Sequence, residues 1–205
     1  MLEDILNDLT SGDDSLAETA VQSLAQLPEE HQLAAIAALR EQQASPEADQ
    51  RWWAARALAE LPLPLTQTWL AQALEDPDPS VRQCAALGLR AQIKRTPGWN
   101  PEPGTREALL LRLLDGLKDP DPLVARLAAD ALVAIGEPAV TQLLELLNRS
   151  DQAVRLLLVR ILAEIGDQRA IPALLDALDE DSLLMEYWAN EGLEKMGLGM
   201  RYFIP

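Results

Sequence analysis

Histidine and cysteine each occur once in this chain, as His31 and Cys84. That scarcity removes most site chemistry at the outset. A zinc centre needs several Cys or His ligands, and the chain has too few. A single thiol excludes an internal disulfide and fits a reducing, cytoplasmic setting. Aromatic residues are also scarce, and Val and Ile are too scattered to write strands. No apolar run approaches ~20 residues, so no membrane span is expected. The opening Met1-Leu-Glu-Asp-Ile is acidic, unlike the basic start of a signal peptide. Positive charge is the last deficit: Lys and Arg number 17 against 33 Asp and Glu, a net charge of −16. A phosphate backbone would meet repulsion, so nucleic acid is not an expected partner, whereas a basic or neutral one is easily accommodated.

Leu and Ala are abundant, a helical composition, and their spacing is informative. From Asp119 to Gly136 the chain reads as a turn, a capped amphipathic helix and a stop. Asp121 suits an N-cap, Pro122 the first helical position and Gly136 a left-handed terminus. Leu123, Leu127, Ala128, Ala131, Leu132 and Ile135 recur at the helical period. This paragraph of sequence is written six times, aligned on Leu24, Leu58, Leu89, Leu132, Leu162 and Leu193. Eleven residues before each stands Asp13, Glu47, Asp78, Asp121, Asp151 or Ser182, each suited to a helix start. A second, shorter helical pattern precedes each of those caps: roughly Leu2–Leu9, Glu29–Gln43, Thr66–Glu75, Thr105–Lys118, Pro138–Asn148 and Ile171–Leu178. The unit is helix A, an acidic turn, helix B and a Pro or Gly stop.

Such a short pair buries both faces only by stacking on its neighbours, which predicts an all-α, right-handed α-solenoid of about six helical hairpins. Residues 1–205 then form a single repeat domain, with an insertion loop at 96–104 and an apolar C-terminal tail at 197–205. The tail is expected to cap the last repeat or to engage a partner. Glu47/Arg51, Asp78/Arg82 and Asp151/Arg155 are spaced i, i+4 on helix B. Ala17, Ala125 and Glu186 stand where the other repeats carry that arginine, and the stack is expected to loosen at the fourth repeat.

Asp-Pro-Asp-x-x-Val-Arg followed by Ala-Ala and Ala-Leu, as in Asp76–Leu89, resembles the HEAT repeat. The shorter unit, with Ile-Gly-Asp-Gln-Arg-Ala-Ile-Pro-Ala-Leu-Leu at 165–175, is similar to the phycobilisome-lyase subclass of HEAT repeats found in cyanobacteria. The resemblance implies arginine–aspartate bonds between units and a concave face lined by the B helices. It is specific for fold and weak for function, because scaffolds and lyase subunits share the repeat.

No catalytic set is visible. His31, beside Glu29 and Glu30 at a helix start, is expected to be a surface histidine rather than a general base. Cys84 shares a largely apolar column with Trp53, Leu127, Leu157 and Trp188, together with Thr19, and is expected to be a core thiol. Calcium on the turns at Asp119/Asp121 or Asp179–Asp181 is not expected, since N-capping accounts for those acids. Leu65, Trp69, Ala73 and Leu74 form an apolar stripe that assigns Trp69 to the core. The partner-binding candidates are Trp52, Arg56, Arg90, Arg126, Arg160, Tyr187 and Trp99. The arginines and Tyr187 fall on wet positions of B helices. Trp52 and Trp53 are adjacent and cannot share a helix face, so Trp52 either leans into the groove or packs on a neighbouring repeat. Trp99 lies in the long loop between Pro97-Gly98 and Pro101.

Three functions stay open. One is a non-enzymatic protein-binding scaffold without cofactor, its groove arginines recognising acidic groups. The resemblance implies a second, a subunit or chaperone of a phycobilin lyase, with arginines on bilin propionates and Trp52 or Tyr187 stacked on a pyrrole. It implies a third as well, an adapter for an iron–sulfur carrier protein, because the segment Glu191–Met200 resembles an iron–sulfur-associated HEAT protein of phototrophs.

Overall fold

The computed structural model describes residues 1–96 and 98–198. Among them the chain is helical, with no strand. Its elements are α1 (Leu2–Leu9), α2 (Asp14–Ala25), α3 (Glu29–Gln42), α4 (Ala48–Leu58), α5 (Leu63–Ala73), α6 (Pro79–Arg95), α7 (Pro103–Gly116), α8 (Pro122–Ile135), α9 (Val140–Leu147), α10 (Gln152–Ile165), α11 (Ile171–Leu178) and α12 (Leu183–Lys195). Short 3-10 turns at Glu137–Ala139 and Gln168–Ala170 lead into α9 and α11. The helices pair in sequence as six A–B hairpins, an α-solenoid repeat. Of the tail at 197–205, residues 199–205 lie outside the described residues, as does Pro97 of the loop.

Helix starts are set by side chains that occupy otherwise unpaired amides. Asp13 accepts from the Ser15 and Leu16 amides, Asp78 from Ser80, Asp121 from Leu123 and Val124, Asp151 from Val154, and Ser182 from Met185. Glu47 makes no such bond. There the Ser45 hydroxyl accepts from the Glu47 amide and donates to Gln50. Gly136, Gly166 and Gly197 close α8, α10 and α12 with φ of 76°, 71° and 81°, values that disfavour any side chain.

The six register leucines are the core: none of Leu24, Leu58, Leu89, Leu132, Leu162 and Leu193 exposes more than 3% of its surface. The column of Cys84 is only partly inside. Trp53, Cys84 and Leu127 are buried, but Thr19 is exposed and Leu157 and Trp188 are half-buried. Trp69 is likewise half-buried, with the Arg40 guanidinium 4.5 Å over its ring. Two glycines set the closest approach of helices. A Cβ on Gly88 would stand 2.6 Å from the Ala59 Cβ, and one on Gly192 2.8 Å from Ala163 and Leu174. Both lie one residue before a register leucine.

The arginines of helix B bond between hairpins, as the HEAT resemblance implied. Arg51 meets Asp76 with two parallel bonds of 2.7 and 2.9 Å, and its other nitrogen donates to the Ser45 and Pro46 carbonyls of its own turn. Arg82 repeats the pattern on Asp119 and on the Asp76 and Pro77 carbonyls. Arg155 pairs with Glu180. These side chains are nearly buried in the first two pairs, at 10–12% exposure, where a bidentate guanidinium–carboxylate contact is at its most specific. Burial works against the charge of Asp76 and Asp119, yet the arginine and backbone hydrogen bonds outweigh it and hold both carboxyls below their usual range.

Two polar side chains, Thr66 and Gln92, are fully inside among the described residues. Helix α6 runs to Arg95, six residues beyond its register leucine, and α7 begins at Pro103, which shortens the expected loop of 96–104 to 96–102. Gln92 stands three residues past Leu89, the place that Ile135 and Ile165 hold in α8 and α10. Its amide nitrogen donates to the carbonyls of Leu58, at 2.9 Å, and Leu61, at 2.6 Å, closing the exposed end of α4. The Thr66 hydroxyl donates to the side-chain amide oxygen of Gln92 at 3.3 Å.

The chain groups into two compact units, Met1–Ala131 and Leu132–Pro205. The division falls within α8, the helix whose arginine position is Ala125.

Candidate functional site

In the first unit, α4 presents Trp52 and Trp53 side by side with their rings edge to face, 4.8 Å apart. Trp53 is 7% exposed and part of the core, whereas Trp52 is half-buried. Trp52 walls an open hollow of about 660 Å³ at the N-terminal ends of three successive B helices. Asp14 and Glu18 of α2, Asp49 of α4 and the N-cap Asp78 of α6 share its lining. A second hollow, of about 410 Å³, is lined by Arg51 and Asp76, whose polar atoms are already engaged in the ladder.

One turn along α4, Arg56 is held internally. It donates to Glu18 at 2.6 Å and to Glu60 at 2.7 Å, and Glu60 also receives Arg95 at 2.9 Å. Burial raises the cost of charge on Glu60, but the two arginines overcome it and keep its carboxyl below the usual range. Arg90 on α6 is half-buried and Arg126 on α8 exposed, and neither bonds another described side chain. Trp99 is half-buried in the loop, its indole nitrogen enclosed without a protein partner among the described residues.

The second unit repeats part of this arrangement. Arg160 sits at the position in α10 that Arg56 holds in α4. It donates to Glu164 at 2.6 Å, also i, i+4, and lies 5.7 Å over the Trp188 ring. Tyr187 is 52% exposed and packs edge-on against Trp188, 5.1 Å away. The structure thus brings Trp52 and Arg56 together with Glu18 in one unit, and Arg160 and Tyr187 together with Trp188 in the other. Sequence spacing located these columns. It did not reveal that Glu60 and Glu164, four residues on, answer the arginines, although that spacing was available as a signal.

Cys84, buried on α6, feels the charges of both Arg56 and Glu18. Burial pushes its thiol up to about 12, with the Arg56 charge pulling down weakly and Glu18 pushing up. Almost no thiolate, the reactive form, is present at neutral pH. A soluble thiol reagent is expected to label Cys84 slowly in the native protein and rapidly in denaturant. Fast native labelling would place the thiol at the surface instead. Among the described residues no group of three or more His, Cys, Asp or Glu could hold a metal ion, and no helix is long and apolar enough to cross a membrane.

Stacked A–B hairpins with small residues at their contacts, and arginines bonded from one hairpin to the next within each unit, define a helical repeat protein. The family model for HEAT repeats matches residues 2–90, 36–110 and 110–194, and the chain belongs to that family. Phycocyanobilin lyase subunit beta of Nostoc sp. (strain PCC 7120) is 41% identical over 61 residues, which is 30% of this chain and 30% of that protein. The match spans under a third of this chain and under a third of the lyase subunit. Among solved structures, an engineered protein aligns over 97% of both chains at a TM-score of 0.54 and 22% identity. A designed armadillo repeat protein in complex with peptide (KR)4 aligns over 95% of this chain and 99% of its own at a TM-score of 0.51 and 19% identity.

Proposed function

We propose that this chain is a non-enzymatic protein-binding scaffold and that α4 carries its anchor. The observation behind this reading is Trp52. The core needs one tryptophan at this point of α4 and has it in Trp53, yet a second stands half-open at the wall of a hollow. Partly exposed tryptophans in concave surfaces are characteristic anchors of protein interfaces. Tyr187, Arg90, Arg126 and Trp99 are further contact residues on this reading. Arg56 and Arg160 take part chiefly through the carboxylates they hold in place. A designed armadillo relative of the same fold class was solved with a bound peptide, which supports recognition of an extended protein segment.

The test uses partners that copurify with the 205-residue chain. Trp52→Ala is expected to weaken the binding of such a partner by about 2 kcal/mol or more, as hot-spot truncations do. The thermal unfolding midpoint should barely move. Unchanged affinity would remove α4 from the interface and shift attention to Trp99 and Tyr187.

The likeness to phycocyanobilin lyase subunit beta favours a second reading, a subunit or chaperone of a phycobilin lyase. The buried, neutral Cys84 does not suit a bilin attachment point, so a bilin would be held without a covalent bond. A visible absorbance shift when free bilin is added would support that reading, and an unchanged spectrum would count against it.

A further inference from the structure

The hollow under Trp52 has a marked sign. Four carboxylates, from Asp14, Glu18, Asp49 and Asp78, contribute to its lining, and among the described residues no Lys, Arg or His does. Two of the four are engaged: Glu18 holds Arg56, and one oxygen of Asp78 caps α6. Asp14 and Asp49, in the first turns of α2 and α4, are exposed and accept no bond from another described residue. Their charge faces the hollow with only the helix N-termini to offset it. The arginine that could have neutralised the lining, Arg56, is itself saturated by Glu18 and Glu60. The chemistry is therefore the reverse of a groove that reads acidic groups.

We infer that the Trp52 hollow receives a lysine or arginine side chain from a basic segment of a partner protein, with its cation at Asp14 and Asp49 and its alkyl stem along the Trp52 ring. Each part answers one component of such a side chain. The indole covers the methylenes and attracts the cation through its ring quadrupole. The paired acids supply hydrogen-bond acceptors and a field that speeds encounter with a positively charged segment. The hollow also spans three successive repeats, so a segment crossing it would meet carboxylates from α2, α4 and α6 in turn. An acidic segment would be repelled there, which supplies selectivity against the wrong partner. This inference rests on the reading of Trp52 as an interface anchor and adds the chemistry of what it binds.

The probe is a short oligolysine peptide, titrated into the 205-residue chain at low and physiological salt beside a glutamate-rich peptide of equal length. Oligolysine should bind and the acidic peptide should not. Trp52→Ala, and separately Asp14→Asn with Asp49→Asn, should each weaken oligolysine binding about tenfold. Because the whole chain is acidic, a control removes equal charge elsewhere: Glu29→Gln with Glu30→Gln, beyond the far end of α2. That control should change affinity little. An equal loss in the control pair, or full affinity in Trp52→Ala, would reduce the binding to bulk charge and overturn the inference. If copurified-partner binding is lost in Trp52→Ala while oligolysine does not bind, the scaffold reading stands and the basic segment falls.

Discussion

Truncating Leu132 to alanine is expected to cost about 2–5 kcal/mol of stability, the range for removing a buried leucine from a core that cannot fully collapse. Leu132 is entirely enclosed, as are its counterparts Leu24, Leu58, Leu89 and Leu162. It stands on the turn of α8 that precedes the Gly136 stop. Repeat proteins gain stability from neighbour contacts rather than from one central core. A deletion at one register position can therefore split a single unfolding transition into two. The measurement is denaturant unfolding followed by far-ultraviolet circular dichroism, with Leu111→Ala as the control. Leu111 is 55% exposed on α7, so the same chemical change there should barely move the midpoint. If the two variants unfold at one midpoint, Leu132 is not a core residue and the six-fold alignment loses its meaning.

Much of this fold could be read from spacing because two signals coincide. An acid or serine at a helix start and a leucine eleven residues later fix both the beginning and the buried face of every B helix. The structure caps five of the six starts as that pattern requires, and it departs at Glu47, whose side chain makes no capping bond. The ladder was half legible. Arg51 and Arg82 stand four residues after Glu47 and Asp78 and so look like partners within one helix. They reach instead to Asp76 and Asp119, acids two residues before the next cap. Only the stacking of hairpins makes that choice, and a one-dimensional pattern cannot express it. Gly88 and Gly192 were missed for a related reason, since a helical glycine looks like a weakness until a neighbouring Ala59 or Ala163 is seen against it. At Trp52 the sequence showed the aromatic and the arginines but not the sign of the surface. Charge sign there depends on which carboxylates close on Arg56, and Glu18 comes from another hairpin.

Gln92 was the least legible residue, and its replacement carries the second large effect. A glutamine near the end of an amphipathic helix reads as surface. Here Gln92, 3% exposed, stands where α8 and α10 carry Ile135 and Ile165, and it reaches the carbonyls at the end of α4. Gln92→Met keeps nearly the same volume, so it leaves no cavity and isolates the hydrogen bonds. The Leu61 carbonyl would lose its amide donor, and the Leu58 carbonyl would keep only the 3.3 Å bond from the Leu61 amide. Thr66 would keep its contact with the Pro62 carbonyl but lose the amide oxygen. Leaving such groups buried and unpaired costs roughly 1–3 kcal/mol each, which predicts a total near 2–4 kcal/mol for the methionine variant. Thr66→Val alone should cost less, because it strands only the Gln92 oxygen. The double variant should cost less than the sum of the two, since the groups stranded by each single change are then partly removed together. Strict additivity would mean that Gln92 and Thr66 act separately. A Gln92→Met midpoint equal to wild type would show that these carbonyls find other donors and that the buried amide is dispensable to the core.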